Sequence, residues 1–174
     1  MALEIERKFL VFVDSLGPLD DGEDISQGFI ATADLTAVRV RLSSNGAWLT
    51  LKGKSIGARR MEFEYAIPAG DARQILAELC GGLVITKTRY RRQYGGHEWE
   101  IDVFHGENSG LVIAEVELGS EDESPAIPDW AIEEVTGDPR YYNMNLARHP
   151  FSQWIGTGSH SCLLPSDIPL NLKP

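Results

Sequence analysis

With 174 residues, 43% apolar and 24% charged, the chain has the length and composition of one soluble globular domain with a sizeable core. A formal net charge of −10 disfavours a nucleic-acid surface, but leaves an anionic small ligand open because local arrangement sets a site's charge. Cys80 and Cys162 lie far apart without metal spacing, which excludes a disulfide framework; with no leader-like start and no membrane-length apolar run, the expectation is a cytoplasmic protein.

Taken in chain order, most of the sequence alternates with period two, predicting strands over 3–11, 25–32, 37–43, 47–53, 60–67, 84–94, 97–104 and 111–119. "SSNG" at 43–46 and Gly95-Gly96 in "YGGHE" supply hairpin chemistry. "AGDARQILAELCGG" at 69–82 predicts the one clear helix, with Cys80 on its apolar face and Gly81-Gly82 as its stop. After residue 120, "SEDESPAIPDW" reads as an acidic connecting loop, "PDWAIEEVTGD" as holding a short helix, and "PRYYNMNLARHPF" as a helix from about 140 to 148 that ends before Pro150. The expected organisation is one domain over 1–155 and a C-terminal tail over 156–174, without repeats.

Side chains at i and i+2 of a strand share a face, roughly 7 Å apart. On that basis each strand but the second offers a polar row. The rows are Glu4, Glu6 and Lys8; Arg39 and Arg41; Thr50 and Lys52; Glu62 and Glu64; Lys87, Arg89 and Arg91; Glu98, Glu100 and Asp102; and Glu115 and Glu117. One such row is an ordinary solvated face. Seven rows, most with like charges side by side, repeat a repulsion that a solvated sheet would avoid. A sheet closed on itself turns them into a charged lumen, with the apolar faces outward and in need of cover. Arginines and lysines in that lumen suit a polyanion. Clustered carboxylates suit hard cations that also bind phosphate oxygens. Together they point to a metal–triphosphate or metal–polyphosphate complex, held without a Walker-type glycine loop.

The same residues resemble a known family. "EIERKFLV" resembles the E-x-E-x-K signature of the CYTH superfamily, the triphosphate tunnel metalloenzymes. "VRVRL", "TLKG", "EFEY", "TKTRY", "EIDVF" and "AEVELG" follow in the family's order, and "DPRYYNMNLA" resembles its closing helix, so the likeness runs from residue 2 to about 150. It implies a mainly β (α+β) fold, an eight-stranded antiparallel barrel forming a tunnel with a few covering helices. Lys8, Arg39, Arg41, Lys52, Lys87 and Arg89 would then grip phosphate. Glu4, Glu6, Glu115 and Glu117, with Asp102 close by, would hold Mg²⁺ or Mn²⁺, and Glu62, Glu64, Glu100 and Arg91 would support them. The short chain is most similar to bacterial members that hydrolyse inorganic triphosphate, although their frequent Q-G-Tyr on the second strand is "SQGFI" here, with Phe29.

The expected reaction is metal-dependent hydrolysis of a terminal phosphoanhydride, inorganic triphosphate giving pyrophosphate and phosphate. Lys87, Glu4, Glu6 and Glu117 are the expected catalytic groups, with Lys87 near the scissile bridge and the general base left open between a glutamate and a metal hydroxide. The alternatives are a class IV adenylate cyclase or thiamine triphosphatase on the same fold, or a non-catalytic polyphosphate- or nucleotide-binding module. His97, His105, His149 and His160 are expected on loops or the surface rather than as ligands. Trp48 and Trp99 are expected on the outside of the barrel, and Tyr141 and Tyr142 at the closing helix. The outward apolar faces imply a homodimer.

Overall fold

A computed structural model describes residues 5–32, 36–53, 62–120 and 122–154. Nine strands form one sheet: β1 (Ile5–Val11), β2 (Glu23–Ile30), β3 (Ala37–Ser43), β4 (Gly46–Lys52), β5 (Glu62–Ala66), β6 (Val84–Tyr94), β7 (His97–Phe104), β8 (Val112–Leu118) and β9 (Ala131–Glu134). Their order is β5-β4-β3-β2-β6-β7-β8-β1-β9, and every neighbouring pair is antiparallel. The first eight strands all contribute to the wall of one cavity, so the sheet curves around it. It is not closed: β5 and β9 are its edges, and among the described residues no ladder joins them. The hairpin signals behave as expected. Ser43 pairs with Gly46, and Gly95 and Gly96 both take positive φ, as a tight two-residue hairpin requires.

The ninth strand is a correction. "AIEE" forms β9 rather than a helix, pairing with β1 across a bulge between Leu10 and Val11. The physical reason is the exposed edge of β1. Its backbone groups need partners, and a short segment gains more from that ladder than from nucleating a helix. Phe12 N–H donates to the Trp130 carbonyl, Val135 N–H donates to the Lys8 carbonyl, and Arg7 Nε donates to Glu134 at 2.9 Å. The last predicted helix splits into a 3-10 turn at Pro139–Tyr141 and a short helix α2 (Asn143–Arg148), which ends before Pro150.

Helix α1 (Ala69–Glu78) lies against the outer face of β3 and β4, burying Ala72 over Val40 and Ala47. Gly28 lets the chain just after α1 approach β2: a Cβ there would stand 2.6 Å from Cys80 Sγ and 2.7 Å from Leu76 Cδ2. A larger outer core covers β1, β7 and β8, where Trp99 packs between Phe9 and Trp130 with ring centroids 5.5 and 5.3 Å away. Trp99 is thus on the outside of the barrel, as expected. A third cluster lies inside. Leu10, Ile85, Phe104 and Ile113 point from the concave face into a plug completed by Tyr141 and by Leu146 of α2. Tyr141 belongs to this plug, whereas Tyr142 remains 43% exposed. Among the described residues no helix is long and apolar enough to cross a membrane.

Trp99→Ala should cost about 3–5 kcal/mol of stability in urea unfolding, the usual range for emptying a large aromatic site. Trp99→Phe should cost clearly less, because it keeps an aromatic ring in the site and removes an indole N–H that is buried without an acceptor among the described residues.

Candidate active site

The concave face encloses a cavity of about 700 Å³. Glu6 and Lys8 reach it from β1, Arg39 and Arg41 from β3, Lys52 from β4, and Glu62 and Glu64 from β5. Lys87 and Arg89 come from β6, Glu100 from β7, and Glu115 and Glu117 from β8. Period two is the reason: each strand gives alternate residues to this face. Three of the sequence-derived site residues stand apart. Glu4 lies outside the described residues. Asp102 is fully buried between Lys87 and Arg89 and does not line the space. Arg91 is 45% exposed and pairs with Glu23 at 3.2 Å and Glu100 at 3.4 Å. Glu98, placed by alternation in the charged row of β7, lines the cavity as well, whereas the sequence reading missed Ile25, Gln27 and Asn143. Alternation could have found Ile25 and Gln27; Asn143 arrives by tertiary packing and has no local signal.

Strand order sorts the charges. Arg39, Arg41 and Lys52 stand on β3 and β4, while Glu6, Glu98, Glu100, Glu115 and Glu117 stand on β7, β8 and β1. Between them β2 offers the uncharged Ile25 and Gln27, and β6 offers Lys87 and Arg89.

On the basic side Thr50, fully buried, donates to Glu64 at 2.8 Å and accepts from Arg39 at 3.1 Å. Glu64 also pairs with Arg39 at 3.2 Å and Arg41 at 3.6 Å, and Glu62 pairs with Lys52 at 2.8 Å. One carboxylate facing two guanidiniums leaves excess positive charge. The Nε–H groups of both Arg39 and Arg41 are buried without an acceptor among the described residues. Burial, together with the charge of Arg39, lowers the Arg41 pKa from its ordinary value.

On the acidic side Glu6 lies directly opposite Glu117, and Glu100 opposite Glu115. Like charges facing each other across a ladder are unfavourable unless a cation intervenes. Lys8 supplies part of the compensation, bonding Glu115 and lying 2.8 Å from Glu6. Burial opposes its charge, but Glu115 and Glu6 outweigh that and raise its pKa. Arg89 bonds Glu100 and Asp102 and reaches Glu115 at 3.3 Å. Among the described residues no three acidic, histidine or cysteine side chains converge as a ready-made metal cage. The donors are nonetheless carboxylate oxygens facing one another across a ladder, the chemistry a hard divalent cation takes.

At the inner end, the Lys87 ammonium bonds Asp102 and lies 5.6 Å from the centroid of Phe104. Arg89 clamps the same carboxylate through Nε at 2.7 Å and a terminal nitrogen at 2.6 Å. Burial alone would push Asp102 upward, but Lys87 and Arg89 outweigh it and hold the carboxyl at about 2, against an ordinary 3.8. One carboxylate does not satisfy two buried cations. The guanidinium keeps its proton, so Lys87 is the group whose pKa falls, through burial and then through the charge of Arg89.

None of the described histidines lines the cavity. His97 meets Glu123 at 2.8 Å, His105 meets Thr88 at 2.7 Å and His149 meets Gln153 at 3.1 Å, while His160 lies outside the described residues. Trp48 corrects another expectation. It pairs across the ladder with Arg41 and shares the concave face with it. The alternation that puts Thr50 and Lys52 inward puts Trp48 inward as well.

A curved antiparallel sheet with a two-sign concave face and an apolar plug at one end has the architecture of a β-tunnel. Comparison with known proteins gives that class a family. The CYTH domain model matches residues 2–142, and the chain belongs to the CYTH domain family. An inorganic triphosphatase of Acetivibrio thermocellus is 47% identical over 154 residues, 88% of this chain and 99% of that protein. An inorganic triphosphatase of Nitrosomonas europaea is 38% identical over 152 residues, 83% and 96% of the two chains. A crystal structure of an inorganic triphosphatase matches with a TM-score of 0.65 at 36% identity, covering 84% of this chain and 95% of that one.

Asp102→Asn should cost about 3–5 kcal/mol at neutral pH, because two buried cations lose their carboxylate. The sign with pH is fixed. The folded-state pKa lies below the unfolded one, so this stability is complete above about pH 4 and is lost as pH falls toward about 2. Urea unfolding across that window should show wild type converging on Asp102→Asn.

Proposed function

We propose that the protein hydrolyses inorganic triphosphate to pyrophosphate and phosphate, with a divalent metal, Mg²⁺ or Mn²⁺. The observation that carries this is the pair of buried Arg39 and Arg41 Nε–H groups without acceptors among the described residues, on a wall across the cavity from the opposed carboxylates. Buried donors of this kind cost free energy unless an anion takes them. The two named triphosphatases, at 47% and 38% identity, support the choice of reaction.

Arg39, Arg41 and Lys52 bind the non-reacting phosphates, and Lys8 and Arg89 bind oxygens nearer the acidic wall. Water attacks the terminal phosphorus, the bridging P–O bond breaks, and the electron pair leaves on pyrophosphate. The bases then face charge gathering on the transferred phosphoryl, where fixed cations in a partly desolvated site act most strongly. Lys87, held by Asp102 next to Phe104, is the group for the departing bridge oxygen. Its lowered pKa also lets it give up a proton more readily than an exposed lysine. Glu6, Glu115 and Glu117, with Glu4, would hold the cation, which when bound supplies charge neutralisation and a more acidic water. Asp102, with both oxygens engaged by cations, serves here by fixing Lys87 and Arg89 rather than as a ligand. Glu62, Glu64 and Glu100 hold the bases until substrate displaces them, and Arg91 ties Glu100 to the mouth. A cytoplasmic setting belongs to the same proposal.

Phosphate release from triphosphate with Mg²⁺ or Mn²⁺ tests it. Wild type should turn over, chelation should stop turnover, and Glu117→Gln should lower kcat/KM by about 10²–10³. Cyclic AMP from ATP in place of orthophosphate would assign the chain to cyclases instead. Binding of triphosphate without any product would make it a binding module. A homodimer also belongs to the proposal. Phe63 and Tyr65 are 51% and 53% exposed on the outer face of edge strand β5, which supports it. Sedimentation should give twice the chain mass, with Phe63→Glu shifting it to monomer.

A further inference from the structure

Trp48 occupies a place in the site that the charged rows do not explain. It is half-buried at the mouth end of β4, on the concave face, directly opposite Arg41. The Arg41 guanidinium carbon lies 4.6 Å from the centroid of the indole, within cation–π range. The ring is backed by Gly46: a Cβ there would stand 2.9 Å from Trp48 Cη2, and φ is +149°. Only glycine leaves the room the ring occupies.

Arg41 needs such a support. Its one ion pair among the described residues is the long 3.6 Å contact to Glu64, which also serves Arg39 and Thr50. Its Nε–H has no acceptor among the described residues, and the charge of Arg39 pushes against the guanidinium. Arg39 is tied down by Thr50 at 3.1 Å, whereas Arg41 has no equivalent hydrogen bond among the described residues. A long, loosely paired guanidinium loses much side-chain entropy when it closes on an anion. A flat, polarisable surface removes part of that loss beforehand without consuming the N–H donors in hydrogen bonds, since a cation–π contact is made to the ring's π face rather than to an acceptor atom.

We infer that Trp48 is a positioning residue for triphosphate: by stacking under Arg41 it fixes that guanidinium with its donor edge toward the substrate phosphates. The inference rests on the triphosphatase reading above. The effect is on binding held equally in ground and transition states, so it falls on KM rather than kcat. The face of the indole that Arg41 covers is closed to a planar group of a substrate, so Trp48 acts through Arg41.

Steady-state kinetics with inorganic triphosphate test this. Trp48→Leu should raise KM about threefold to thirtyfold with kcat unchanged, the range expected for one such contact, and Trp48→Phe should recover most of the loss. In an Arg41→Leu background, Trp48→Leu should add nothing further; additive losses would overturn the inference. Should Trp48→Leu fail to fold, fluorinated tryptophan answers the question without changing ring size. Incorporation should raise KM in wild type and leave Trp48→Phe unaffected, and equal KM values in wild type with and without fluorine would overturn it. Wild type that neither binds nor hydrolyses triphosphate removes the underlying reading and this inference with it. Active wild type with an unaltered Trp48→Leu KM removes only the role of Trp48.

Discussion

The carboxylate of Asp102, buried with Lys87 and Arg89, is the interaction around which the inner end of the site is arranged. Three charged groups out of water are tolerable only if each has partners, and the register gives them: Arg89 lies directly opposite Asp102, and Lys87 is one inward position further along. Arg89 then has donors left for Glu100 and Glu115, which ties β6 to β7 and β8 across the acidic wall. Below it, Phe104, Ile113, Leu10 and Ile85 exclude water together with Leu146. The apolar plug keeps the dielectric low around the pair, and the pair gives the plug a polar boundary toward the cavity.

The rest of the concave face follows a second logic, incomplete neutralisation. Glu64 is shared by Arg39 and Arg41, and Glu6 and Glu117 oppose each other with Lys8 serving both Glu6 and Glu115. These groups would be better matched in a protein selected for stability alone. The mismatches are spatially sorted, excess base on β3 and β4 and excess acid on β1, β7 and β8. The unmet demand therefore has a direction, an anion toward one wall and a cation toward the other.

Covering the convex face is the cost of turning charge inward. α1 covers β3 and β4, and the loops around Leu16 and Trp130 cover β1, β7 and β8. Strand β5 is left with Phe63 and Tyr65 outward, whereas at the opposite side β1 is covered by β9, an edge strand of only four residues. The two edges of one open sheet are thus treated differently.

Alternation made most of this legible in advance. Each charged row could be assigned to one face because a strand's period is two, and hairpins at Gly46 and Gly95-Gly96 kept the rows in register. The motif order then pointed to the family before any geometry was known. Other features came only from tertiary packing. "AIEE" has no local reason to be a strand until the edge of β1 is beside it. Asn143 reaches the cavity because α2 folds over the plug. Trp48 shares a face with Thr50 and Lys52 by alternation, and only the pairing with Arg41 shows which guanidinium lies against it. The local sequence determined which side of each strand a residue takes, because backbone stereochemistry is local. Which charges meet, which stay unmatched and which carboxylate is buried depend on strand order and curvature, and those are settled only when distant segments pack.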